Sequence, residues 1–200
     1  MARPRNFDEV AVLDASVKQF RTHGFADTST EQLCEAAGVR RSSLYNTFVS
    51  KDELFIRSLE RSVSVAREQQ EAVLTDPGLS GEERLVALFA LVLDEEIEAR
   101  ADGHAAGCMI VASRMAPDIG DREPRVQRIL DRFHDDQNSL VAAAVRAGRL
   151  DGTLRADVSP HDAALMVASA IFGIRVLAQA GTTPAELRRV ANLNLDSLRT

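Results

Sequence analysis

Between Arg40 and Thr47 the chain reads Arg-Arg-Ser-Ser-Leu-Tyr-Asn-Thr, eight residues without an acid. Arginine offers a planar fork of N–H donors, and Ser, Tyr, Asn and Thr add hydroxyl and amide groups. Coiled as a helix, the run keeps Leu44 and the following Phe48 inward and turns Arg40, Arg41, Ser42, Ser43, Tyr45, Asn46 and Thr47 outward. Such a face can bond phosphate oxygens and the base edges of a duplex groove, and either arginine can bond guanine bidentately. A merely solvated helix would usually mix Asp or Glu into its first turn, where the helix dipole favours them. Lys51 stands just beyond. It is one of two lysines against 22 arginines, placed in a helix first turn that disfavours a cation. Either a phosphate partner or plain surface charge accounts for it.

Catalytic chemistry has weaker signals. His23, His104, His134 and His161 are scattered, and His104 and Cys108 stand four apart with no third metal ligand evident. No nucleophile elbow, Walker loop or dinucleotide fingerprint occurs, so neither an enzyme nor a cofactor is expected.

The elements that must position the outward face read as helices throughout. Val10, Leu13, Val17 and Phe20 recur at helical spacing in a first helix ending before Gly24. A second short helix is predicted over 30–37 and a third over 41–48, with Gly38 breaking the chain between them. That is the spacing of a helix-turn-helix. Leu33, Ala36, Ala37, Val39, Leu44 and Phe48 supply its small core, with Cys34 a minor core residue. Ser29–Gln32 and Ser50–Glu53 both fit capping boxes that start the second and fourth helices, the fourth reaching about Leu74. A fifth helix uses Leu85, Leu88, Phe89 and Val92 and is interrupted at 101–107. A short sixth helix covers 108–115, a loop spans 117–124, and a seventh helix carries Val126, Leu130, Phe133, Leu140 and Ala144. A connection over 148–159 leads to an eighth helix at about 160–180 and a ninth at about 184–198. The fold class is all-α.

Composition sets the outer bounds. The 200 residues are 45% hydrophobic and 27% charged, an ordinary globular balance. The longest nearly apolar run, 163–174, is too short to span a bilayer. The start of the chain has no apolar signal core, and Cys34 and Cys108 form no CxxC. A reduced, cytoplasmic protein away from membranes is expected. The net charge of −6 repels nucleic acid, yet residues 1–50 hold six cations and six anions, so any DNA surface lies in that neutral quarter.

The segment from Phe25 to Phe55, with its Ala-Ala-Gly-Val turn, Leu-Tyr-x-x-Phe and Ser-Lys-x-x-Leu, resembles the DNA-binding segment of TetR/AcrR-type transcriptional regulators. The resemblance implies a homodimer on a palindromic operator, usually a repressor that releases DNA when a small molecule enters the C-terminal part. It places Thr30, Tyr45 and Lys51 at phosphates and Arg40, Arg41, Ser42, Ser43 and Asn46 in the groove. Val49 departs from the Pro or Gly common in the family. Arg3 and Arg5 form either a minor-groove arm or a free tail.

The division expected is a DNA-binding domain over 1–50 and an effector-binding and dimerisation domain over 51–200, with the fourth helix, about 50–74, as connector. The eighth helix, apolar nearly all round, is either the centre of a large bundle or a dimer surface shared with the ninth. Phe89, Met109, Met115, Phe133, Met166 and Phe172 are pocket candidates, as are two polar residues on apolar faces, Gln137 and Arg175, each of which needs a partner when buried. The rival reading is an all-α enzyme or small-molecule carrier without DNA affinity.

Overall fold

A computed structural model describes residues 8–101, 108–116 and 123–200, and among them the chain forms nine helices and no strand. Arg3, Arg5 and His104 lie outside the described residues. In chain order the helices are α1 (Glu9–Asp27), α2 (Thr30–Ala37), α3 (Arg41–Phe48), α4 (Lys51–Leu74), α5 (Gly81–Ala101), α6 (Met109–Met115), α7 (Pro124–Asp151), α8 (Pro160–Gln179) and α9 (Pro184–Asp196).

Two apolar cores organise them. One joins α1, α2 and α3 to the first two turns of α4, to Met109 and Ile110 of α6, and to Val126, Leu130 and Phe133 of α7. The other joins the end of α4 to α5, the second half of α7, α8 and α9. α4 and α7 therefore belong to both cores, and a shift of either is felt at both ends of the molecule. The N-terminal core is tied by an aromatic trio: Phe20 meets Phe55 edge-on at 5.0 Å, and Phe25 meets Phe55 at the same separation. Ion pairs Arg57–Glu9 and Arg61–Asp14 (2.9 Å) fasten α4 to α1.

α1 breaks at Gly24 (φ 75), where the sequence ends it, but resumes and reaches Asp27. Beyond that, four details differ from the sequence expectation. In α1 the buried stripe is Val12, Leu13, Ser16 and Phe20, and Val10 is exposed. Ser16 tolerates burial because its hydroxyl donates to the Val12 carbonyl at 2.8 Å. Ala36 is exposed as well. α7 does not end at Gly148 but runs to Asp151, with Gly152 in the left-handed region (φ 81) as its cap. The start of α5 lies against the α7 backbone at Gly148 because Gly81 has no Cβ. A Cβ on Gly81 would stand 2.1 Å from the Gly148 nitrogen. Gly81→Ala is accordingly expected to lower stability by about 1–3 kcal/mol in urea unfolding. Gly148→Ala, whose Cβ would first meet the Leu154 side chain rather than backbone, should cost less.

The fourth detail is α8. As a 20-residue helix with mean hydropathy 1.5 it is long and apolar enough to cross a membrane, although its strictly apolar run is not. Here Ala163, Ala164, Val167, Ala168, Ile171, Ile174 and Ala178 are buried in the second core, and the helix carries the ion-paired Arg175. Leu165, Val176 and Leu177 face outward, joined by Leu193 of α9.

Candidate nucleic-acid interface

Serine and glycine fix the start and end of α2. Ser29 accepts from the Gln32 N–H at 3.2 Å and Gln32 returns the bond to the Ser29 N–H at 2.7 Å, a complete capping box. Gly38 ends the helix at φ 64. This left-handed cap is cheap only for glycine, and it turns the chain straight into α3. Leu33, Leu44 and Phe48 are fully buried beneath the pair, with Ala37 and Val39 half-buried beside them. Ser50 caps α4 by accepting from the Glu53 N–H at 3.1 Å. The reciprocal half of that box is replaced, because the Glu53 carboxylate accepts from Arg125 of α7 at 2.9 Å.

The outward edge then assembles as follows. Arg40, Arg41, Ser42 and Asn46 are exposed, while Thr30, Ser43, Tyr45, Thr47 and Lys51 are half-buried. The Tyr45 and Thr30 hydroxyls bond each other at 3.0 Å, bridging α2 and α3. In such a pair one proton is used internally and the other remains free to reach a phosphate. Thr47 spends its hydroxyl proton on the Ser43 carbonyl at 3.3 Å. The first turn of α3 has no side-chain cap, which leaves its N–H groups available to an acceptor.

Lys51 has partners that neither sequence reading named. Its ammonium lies 4.5 Å from the Phe25 ring centre and 3.4 Å from the Ala26 carbonyl. The ring face and carbonyl offset the unfavourable helix-terminus position. An acid also stands at the edge. Glu31 of α2 pairs with Arg41 at 2.8 Å, and the Arg41 guanidinium lies 5.5 Å from the Tyr45 ring centre. The acid-free run of α3 is thus bordered by a carboxylate from the neighbouring helix. Both partners are largely exposed (63% and 71%), and a pair in that setting holds at most about 1 kcal/mol, so Arg41 can exchange Glu31 for a phosphate or a base.

Val49, beyond α3, adopts φ 61, ψ −45. This is a conformation that a β-branched residue occupies only under strain. It is 78% exposed and packs little. Val49→Gly is expected to raise unfolding free energy by about 1 kcal/mol, the strain relief exceeding glycine's added chain entropy.

The pocket candidates disperse. Phe89 and Phe133 lie in separate cores, and Met115 is 72% exposed. Met166 packs partly against the second core, and Phe172 stacks on His134 at 6.2 Å. Gln137 is buried and donates to Gln70 at 3.0 Å. Arg175 is buried and binds Glu96 at 2.7 Å and Glu95 at 2.5 Å, both from α5. Only Met109 and Arg175 of the eight reach a described cavity, of about 520 Å³, lying between α1, α4, α5 and α6. Burial pushes the Glu96 carboxyl above its ordinary range, against the opposing pull of Arg175.

Residues 12–57 match the sequence family described as bacterial regulatory proteins, tetR family, and residues 81–193 match the tetracyclin repressor-like C-terminal domain. The chain is 27% identical over 195 residues to the HTH-type transcriptional repressor ComR of Escherichia coli, covering 96% of this chain and 90% of that protein. It is 30% identical over 167 residues to the uncharacterized HTH-type transcriptional regulator YezE of Bacillus subtilis, covering 81% and 78%. Among solved structures it is similar to a cysteine mutant of the regulator CifR complexed with 26-bp operator DNA. The TM-score there is 0.78 at 27% identity, covering 97% of this chain and 98% of that one. Reduced E. coli NemR shares the fold, with a TM-score of 0.79 at 18% identity over 95% of each chain.

Proposed function

This chain belongs to the tetR family of bacterial regulatory proteins and is a DNA-binding transcriptional regulator, and we propose that it acts as a cytoplasmic homodimeric repressor released from a palindromic operator by a small molecule. The observation that carries the reading is the α2–Gly38–α3 corner, which sets Arg40, Arg41, Ser42 and Asn46 on one exposed edge beside the Tyr45–Thr30 hydroxyl pair. Arg40, Arg41, Ser42, Ser43, Asn46 and Thr47 enter the major groove. Thr30, Tyr45 and Lys51 hold the backbone. The relative ComR is a named repressor, which favours repression here.

Residues 1–50 form the reading unit and 51–200 the unit that dimerises and senses, with α4 connecting them. Leu165, Val176 and Leu177 of α8 and Leu193 of α9 leave apolar surface outward, suited to a second copy. Two copies must hold their α3 helices roughly 34–36 Å apart to enter successive major grooves. A ligand that binds better to a differently spaced dimer empties the operator, by no more than its difference in affinity. Retention of the protein's own upstream DNA in a gel shift at stated salt tests the reading. Val176→Asp with Leu193→Asp should give monomers by sedimentation and lose most of that retention. A dimer that persists would remove this face from the interface.

A further inference from the structure

The strongest unassigned feature is the cavity of about 520 Å³ between α1, α4, α5 and α6, a size typical of small-molecule sites. We propose that it binds an organic anion with an apolar body, its charged head on Lys18 and Arg21 of α1 and its body against the wall made by Val17, Val65, Ala66, Ala99, Met109 and Ile110. The proposal rests on the reading of the chain as a ligand-responsive regulator and assigns the ligand's class and place.

Internal pairing leaves few free charges on the lining. Of the charged groups on the lining, Arg61 is held by Asp14 at 2.9 Å, and Arg175 by Glu95 and Glu96. That leaves Arg21, half-buried, with the exposed Lys18 three residues away and so on one face of α1, and Glu98, an exposed carboxylate. Arg21 has its Nε shut off from solvent with no hydrogen-bond partner among the described residues. That nitrogen is out of a ligand's reach, but the rest of the half-buried guanidinium is on the lining and has no hydrogen-bond partner among the described residues, and a carboxylate or sulfonate matches its fork. Glu96 Oε2 is also buried and has no partner among the described residues, and Arg21 is near enough to act on the Glu96 carboxyl. A cation would meet Lys18 and Arg21 with only Glu98 to receive it, and a neutral apolar ligand would leave the Arg21 donor unmet.

The place gives the site leverage. Asp14, Val17, Lys18 and Arg21 line it from the same helix whose Phe20 anchors the core beneath α2 and α3. A ligand there touches the scaffold of the reading unit as well as α4.

Two fluorescent probes with the same body test the charge requirement: anilinonaphthalene sulfonate and its neutral counterpart phenylnaphthylamine. The full-length protein is expected to bind the sulfonate saturably. Lys18→Gln with Arg21→Gln should weaken that binding about tenfold and leave the neutral probe within about twofold. Val65→Trp, which fills the cavity and keeps its charges, should exclude both probes and stands in should the double variant not fold. Sulfonate binding unchanged in the double variant, or both probes retained by Val65→Trp, would overturn the proposal. Upstream-DNA retention without any probe is scored separately. If it fails while the probe contrast holds, the regulator reading falls and the anion site stands. If it holds while the contrast is absent, the site alone falls.

Discussion

Arg40→Ala combined with Arg41→Ala is expected to weaken binding to the operator on the order of a thousandfold while the fold and oligomeric state stay intact. Each guanidinium that bonds a base bidentately contributes about 1–3 kcal/mol, and two such losses reach that scale. Neither residue takes part in either core, and both are exposed, so the folded chain loses little when they are truncated. The variant also strips Glu31 of its partner, and that carboxylate then faces DNA unneutralised. The two single variants separate the roles. A base-reading arginine relaxes sequence preference when removed, whereas a phosphate-binding one lowers affinity for all sequences and flattens the salt dependence by about one charge. Unchanged operator affinity in the double variant would take both residues out of the interface.

The second large effect concerns stability. Phe20→Ala is expected to cost about 3–5 kcal/mol, read as a lowered urea midpoint. Phe20 is 1% exposed and packs against both Phe55 and Phe25, so its removal opens a cavity at the point where α1, α4 and the paired helices converge. Because α4 and α7 enter both cores, the damage should spread beyond the first 50 residues, and a chain that unfolds in one transition would lose α5–α9 signal together with α1–α3 signal. A variant that melts with the wild type would show that the N-terminal core relaxes around the missing ring.

The α2–α3 corner was largely legible in the sequence because local chemistry fixes it. Ser29 and Gly38 mark the start and end of α2 by a cap and a left-handed turn, and Ser50 marks the start of α4 by a cap. Packing between distant segments was less legible. Val10 and Val12 each fit a helical stripe through Leu13 and Phe20, and the choice fell to Val12 because the polar Ser16 could be buried by bonding back to its own helix. Gly148 reads as a breaker until Gly81, 67 positions earlier, is seen against its backbone. Glu31 belongs to α2 by sequence and to the α3 edge by geometry, so the pair it makes with Arg41 is invisible to a reading of either helix alone. The cavity draws on α1, α4, α5, α6 and Arg175 of α8, and no local pattern announces it.

We propose that the edge carrying Arg41, Ser42 and Asn46 is the surface that faces duplex DNA. A photo-crosslinking amino acid placed at Asn46 tests it directly, with one at Asp157, in the connection between α7 and α8, as control. The expected result is a covalent adduct with upstream DNA from the Asn46 position and none from Asp157. Bound DNA that couples to Asp157 and never to Asn46 would contradict it.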